Sequence, residues 1–134
     1  MNQTPIIVID DKGTIKHYND RNQLHHESGP AVEQPNGTKE WWFHGKRHRP
    51  DGPAIEHFDG TKEWYYENER HREDGPAFIF PNGTVQWWYK NKLHRPDGPA
   101  VERIDGITHW YIHGIKQTET QVQSLLSDLN NATQ

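Results

Sequence analysis

The sequence predicts an all-β fold: a single-sheet meander of five stacked β-hairpin repeats with a short C-terminal capping α-helix. Three observations predict it. The tetrapeptide Asp-Gly-Pro-Ala begins at Asp51, Asp74 and Asp97, and Ser28-Gly29-Pro30-Ala31 is a fourth start, so the period is 23 residues. Fixed-period self-similarity is the signature of stacked supersecondary units. Within each unit two short runs flank Asn36-Gly37, Asp59-Gly60, Asn82-Gly83 or Asp105-Gly106; such dipeptides tolerate the positive φ of a tight hairpin turn. After the repeats, Val122, Leu125, Leu126 and Leu129 recur at helical spacing. The array spans residues 1–117, with repeats at about 5–27, 28–50, 51–73, 74–96 and 97–117, and the helix spans 118–130.

Met1 to Thr4 is expected to fray. Pro5 to Asp10, with Ile6, Ile7, Val8 and Ile9, reads as a strand, Asp10-Asp11-Lys12-Gly13 as its turn, and Thr14 to Asn19 as its return. This first repeat is degenerate, as capping repeats are. His17 and Tyr18 stand where later copies have Trp-Trp or Trp-Tyr, and one extra residue lies between Gly13 and Ser28.

In the later repeats a two-residue type I′ loop sets Phe58 opposite Thr61, Glu56 opposite Glu63, Ile55 opposite Trp64 and Ala54 opposite Tyr65. Opposed residues share a face, and faces alternate along a strand. One face then carries Val32 with Trp41, Ile55 with Trp64, Phe78 with Trp87 and Val101 with Trp110, plus Phe43, Tyr66, Tyr89 and Ile112. This apolar ladder is the expected core. Polar turns follow at His44-Gly45-Lys46, Glu67-Asn68-Glu69, Lys90-Asn91-Lys92 and His113-Gly114-Ile115, then stiff connectors such as His48-Arg49-Pro50-Asp51-Gly52-Pro53. The helix starts on Thr118 or Thr120 as N-cap, and Asn130 to Gln134 is expected to fray.

Composition narrows the function. Apolar residues are 31% and mean hydropathy is −1.14, values that lean towards disorder. Six Trp, five Tyr and four Phe recurring in register argue for a thin sheet held by large rings instead. A net charge of −4 gives no general pull on nucleic acid or anionic lipid. There is no Cys, hence no disulfide or thiolate chemistry. No stretch reads as a signal peptide or membrane span, so a soluble, cytoplasmic chain without a membrane partner is expected, in the host cytoplasm if viral. No cofactor is implied.

The expected partner-binding face has an aromatic column, Trp42, Tyr65, Trp88 and Tyr111, beside Glu33, Glu40, Glu56, Glu63 and Glu102, with Glu33 set opposite Glu40, Glu56 opposite Glu63 and Glu102 opposite His109. Like charges facing each other are unfavourable unless wet or matched by a partner's positive charge. The face therefore points to a protein with a basic surface, or to self-association. A second reading is a small-ligand sponge that holds a nucleotide-like anion with His48, Arg49, His71, Arg72, His94 and Arg95. One His per repeat spaces imidazoles a rung apart, which suits hydrogen bonding to connector backbone better than convergence on a metal, so no metal site is expected. A metal-dependent hydrolase is the least favoured reading, because repeated carboxylates form no unique cluster for catalysis.

The unit Asp-Gly-Pro-Ala, then Asn/Asp-Gly-Thr, Trp-aromatic and His-Arg resembles the hairpin repeats of the MORN type. It is most similar to the His-Arg-x-Asp-Gly-Pro-Ala variant of bacteriophage and large-virus proteins, over Ser28 to His113 and more loosely over Pro5 to Glu27. The resemblance implies a meandering sheet used for protein interaction. Together with the aromatic-acidic face it suggests a non-enzymatic module, encoded by a phage or mobile element, that inhibits a host or defence protein.

Overall fold

The computed structural model describes residues 5–132. The fraying expected of Met1 to Thr4 and of Thr133 and Gln134 lies outside these residues, whereas Asn130 to Ala132 continue the helix. β1 (Ile6–Ile9) and β2 (Ile15–Tyr18) form the first hairpin. The second repeat supplies β3 (Val32–Glu33), β4 (Lys39–Glu40), β5 (Trp42–Phe43) and β6 (Lys46–Arg47). The third supplies β7 (Ile55–Glu56), β8 (Lys62–Glu63), β9 (Tyr65–Tyr66) and β10 (Glu69–Arg70). The fourth supplies β11 (Phe78–Ile79), β12 (Val85–Gln86), β13 (Trp88–Tyr89) and β14 (Lys92–Leu93). The fifth supplies β15 (Val101–Glu102), β16 (Thr108–His109), β17 (Tyr111–Ile112) and β18 (Ile115–Lys116), and α1 (Glu119–Ala132) follows.

Five hairpins join into one ten-stranded antiparallel meander in the order β1-β2-β3-β4-β7-β8-β11-β12-β15-β16, as expected. In each later repeat the expected polar turn is the tip of a second hairpin, β5–β6, β9–β10, β13–β14 or β17–β18, and in the second to fourth repeats the connector follows it. These small hairpins are coupled to one another. Asn68 N–H donates to the Arg47 carbonyl (2.8 Å) and Asn91 N–H to the Arg70 carbonyl (2.9 Å), while the Asn91 side chain accepts from Arg70 N–H (2.7 Å).

The expected register is corrected by one residue. Ile55 pairs with Glu63, not Trp64, and Glu56 pairs with Lys62, not Glu63. Likewise Glu33 pairs with Lys39, not Glu40, and Glu102 with Thr108, not His109. The cause is the turn. Gly60 N–H donates to the His57 carbonyl (3.0 Å) and His57 N–H to the Thr61 carbonyl (2.9 Å), so three residues form the loop. Gly60 alone has positive φ (+95°) there. This is a type I turn closed by a glycine bulge, the usual three-residue hairpin. Asp59 stays right-handed because its carboxylate accepts from Thr61 N–H at 2.9 Å, and Asn36, Asn82 and Asp105 bond Thr38, Thr84 and Ile107 in the same way. The two-residue turns with positive φ at both positions are on the second hairpins, at His44-Gly45, Glu67-Asn68, Lys90-Asn91 and His113-Gly114.

A one-residue slip exchanges faces. The predicted ladder is core only in part: its Val32, Ile55 and Val101 are buried, together with Ala31, Ala54, Ala77 and Ala100 from outside it, while its Phe43 is 40% and its Tyr66 52% exposed. Trp41, Trp64, Trp87 and Trp110 are half-buried. The extra residue of the first repeat is absorbed in its second turn, where Asn19 N–H bonds the Gln23 carbonyl (2.9 Å) around a three-residue loop with Asn22 at φ +60°. Thr118 is the N-cap. It accepts from Gln121 N–H (3.2 Å) while the Gln121 side chain accepts from Thr118 N–H (2.8 Å), a capping box. No side chain of α1 is buried.

Candidate functional site

Three columns of side chains run across the repeats. The first is built by the connectors. The guanidinium of Arg49 lies 3.8 Å above the Trp41 ring, Arg72 4.2 Å above Trp64 and Arg95 4.0 Å above Trp87. Each also donates to a proline carbonyl, at Pro53 (3.0 Å), Pro76 (3.0 Å) and Pro99 (3.2 Å). This explains the glycine of Asp-Gly-Pro-Ala. A Cβ on Gly75 or Gly98 would sit 2.7 Å from the arginine Cζ. In the first repeat His26 takes the arginine's place, stacked on His17 at 4.2 Å and bonded to the Pro30 carbonyl. Burial, then the neighbouring His26, lowers the His17 pKa.

The second column is histidine. Nδ1 of His25, His48, His71 and His94 accepts the backbone N–H of His44, Glu67, Lys90 and His113, at 2.8–3.0 Å. Each acceptor therefore holds the next turn in its left-handed conformation, and the imidazole proton resides on Nε2. Rings alternate along this line: His48 is 4.5 Å from Tyr66, and His71 is 6.4 Å from Tyr66 and 4.4 Å from Tyr89. The His94 pKa is lowered, by burial and then by the neighbouring His113.

The third column holds the predicted aromatic residues. Trp42, Tyr65, Trp88 and Tyr111 are half-buried. Arg47 and Arg70 fill the gaps between the first three, with Arg47 4.9 Å from Trp42 and Arg70 5.5 Å from Tyr65 and 4.9 Å from Trp88. Arg47 also pairs with Glu40 (3.4 Å) and Arg70 with Glu63 (2.7 Å). Glu63, 7% exposed, accepts in addition from His57 Nε2 (2.6 Å) and the Tyr65 hydroxyl (3.2 Å). Burial by itself would raise the Glu63 pKa; the His57 bond and the Arg70 charge outweigh it, so the pKa lies below the ordinary value.

The structure thus divides the predicted acidic face. Glu40 and Glu63 share a face with Trp42 and Tyr65, whereas Glu33, Glu56 and Glu102 alternate with them onto the opposite face. There Glu56 faces Lys39 and Lys62 and bonds Arg49 (3.1 Å), and Glu102 bonds Arg95 (2.9 Å). The expected like-charge pairs do not occur. Sequence reasoning sets Arg47 and Arg70 near the Arg49, Arg72 and Arg95 column and does not foretell their place between the rings. A signal was present: Glu and Arg stand seven residues apart in two repeats, and both change together, to Gln86 and Leu93, in the fourth.

Among the described residues no three His, Asp or Glu side chains converge as a metal site would require. Among them too, no helix is long and apolar enough to cross a membrane. An open groove of about 1120 Å³ crosses the third and fourth repeats, lined by Tyr66, Glu67, Glu69, His71, Glu73 and Tyr89 among others. Compared with known proteins, the chain matches no family model, no curated protein and no solved structure.

Proposed function

We propose that the chain is a non-enzymatic protein-binding module of the cytoplasm, whose recognition surface is the row of rings on the second hairpins. One observation carries this reading. Phe43 and Tyr66, 40% and 52% exposed, are large rings on two-stranded hairpins pinned by the histidine column. Exposed, pre-ordered aromatic rings are what interfaces use as anchors, because little side-chain entropy is lost on contact. The face of Trp42, Tyr65 and Trp88 is less suited, since Arg47 and Arg70 already occupy it.

Two further observations support the reading over its alternatives. The groups with displaced pKa have structural causes: Thr14 N–H lowers Asp10, Thr61 N–H lowers Asp59, and His57 and Arg70 lower Glu63. The arginines and histidines of the nucleotide-sponge reading are engaged with tryptophan rings, proline carbonyls and turn amides. Self-association has support of its own in β1, an uncharged edge strand whose Ile6, Ile7, Val8 and Ile9 are all exposed. A host or defence protein as target belongs to the same proposal through the MORN-type resemblance.

The test is affinity capture from a cell lysate with the wild-type chain and with a Phe43→Ser, Tyr66→Ser variant, read by quantitative mass spectrometry, with native mass of the bait. A stoichiometric protein lost on the variant supports the ring row. Equal capture by both moves the surface elsewhere, and a bait that returns only a bound small molecule overturns the module reading in favour of the sponge.

A further inference from the structure

The repeats agree wherever the fold needs them to. Arg, Trp, His and the Asp-Gly-Pro-Ala turn have the structural partners described above. The second-hairpin tips are different. They read His-Gly-Lys in the second repeat, Glu-Asn-Glu in the third, Lys-Asn-Lys in the fourth and His-Gly-Ile in the fifth. The backbone is the same in the third and fourth, with φ of +46° and +72° at Glu67 and Asn68 against +47° and +67° at Lys90 and Asn91. The two glutamates are thus not required by the turn.

Their surroundings suit a guest. Glu67 and Glu69 are exposed and, among the described residues, neither side chain makes an ion pair or hydrogen bond. Both line the groove that also contains the Tyr66 and Tyr89 rings. Its other carboxylates, Asp51, Glu73 and Asp74, are 88%, 74% and 88% exposed at the side chain, although Arg49, His71 and Arg72 touch them. Arg49 and Arg72 lie over tryptophan rings with only 23% and 26% of the side chain exposed, so the solvent-facing charge of the groove is mostly negative, with Lys90 as its exposed cation. A groove combining ring faces with unpaired carboxylates matches a guanidinium or ammonium group, which gains cation–π and charge-assisted contacts together.

We propose that this groove binds an extended, arginine- or lysine-bearing segment of a protein partner. Its cations sit over Tyr66 and pair with Glu67 and Glu69, while the Tyr89 ring, already faced by Lys90 at 5.5 Å, walls the groove. This rests on the protein-binding reading and names the chemistry of the partner. The volume of about 1120 Å³ lies just above the ~300–1,000 Å³ of ligand clefts and suits a short stretch of extended chain better than a compact metabolite.

The test uses fluorescence anisotropy of a labelled hexa-arginine peptide, with hexa-glutamate as its opposite, at about 0.15 M salt to limit long-range attraction. The informative variant is Glu67→Lys, Glu69→Lys, which writes the tip of the fourth repeat into the third and so has a precedent within the fold. Asp11→Lys, Asp20→Lys makes the same change in net charge on exposed loops of the first repeat. Saturable hexa-arginine binding that weakens at least ~10-fold in the tip variant, and stays within about 2-fold in the control, is expected. No binding, binding unchanged by the tip variant, or equal weakening in the control overturns the proposal. Capture from lysate separates the two readings. A protein lost on Phe43→Ser, Tyr66→Ser but kept on Glu67→Lys, Glu69→Lys leaves the module standing and removes the cationic segment.

Discussion

The third and fourth repeats place different interiors on the same scaffold. In both, an arginine stacks on a tryptophan (Arg72 on Trp64, Arg95 on Trp87) and a histidine bonds the next turn. Inside, the third repeat holds a buried carboxylate with three donors, His57, Tyr65 and Arg70. At the corresponding places the fourth has Gln86, which accepts from the Trp88 indole (2.9 Å), Leu93, and Phe80 packed 4.4 Å from Phe78. A charged pair has been exchanged for a neutral one as a unit. The difference teaches that the Arg–Trp–Pro and histidine columns recur with the backbone, while the inner pair changes as a unit between repeats. A buried ion pair is often replaceable by neutral residues, but half of one is not tolerated.

The comparison can be broken most directly at Glu63. Glu63→Ala leaves Arg70 with a guanidinium whose buried Nε already lacks a partner. We expect about 3 kcal/mol of destabilisation in urea unfolding. Glu63→Gln with Arg70→Leu, the fourth repeat's pair, should recover most of that loss. A double variant as unstable as Glu63→Ala would show that the interiors are not interchangeable.

The shared scaffold gives a smaller, second effect. Gly75→Ala pushes a Cβ into the Arg72 guanidinium, and Gly98→Ala does the same to Arg95. Each should cost about 1–2 kcal/mol of thermal or urea stability, and the two should agree, because the contact is the same in repeats with different interiors. In an Arg72→Ala background, Gly75→Ala should cost much less. A large difference between the two glycine variants would mean that the interior does reach the scaffold.

The pH dependence should be the smallest effect and sharpens the same contrast. Glu63 has a folded pKa below its ordinary 4.5, so its contribution is complete above that value and is lost as pH falls through the lowered one. His94 and His17 have folded pKa values below 6.5, so the fold favours their neutral forms; their contribution is complete above 6.5 and is lost as pH falls through the folded values. Melting temperature should therefore decline in two stages between pH 8 and pH 3. In Glu63→Gln, Arg70→Leu the acidic stage should shrink, without vanishing, because Asp10 and Asp59 are also lowered. An unchanged acidic stage would remove Glu63 as its principal source.

Local chemistry determined much of this protein. The repeat period, five hairpins in a meander and a threonine cap on the helix all follow from residues a few positions apart or from their recurrence. The register does not, because Asn-Gly and Asp-Gly serve two kinds of turn. The choice fell to the carboxylate or amide that bonds the N–H two residues on. That single residue of slip exchanged the faces, exposed Tyr66 and Phe43, and separated Glu56 from Glu63. Tertiary structure also decided which carboxylates are occupied, since Arg70 meets Glu63, Phe78 and Trp88 at once. His48 reaches Glu67 across 19 residues of chain and so joins consecutive repeats. A pattern along a sequence records what each residue prefers locally; which charges neutralise each other, and which rings face water, depends on distances that exist only after the repeats have stacked.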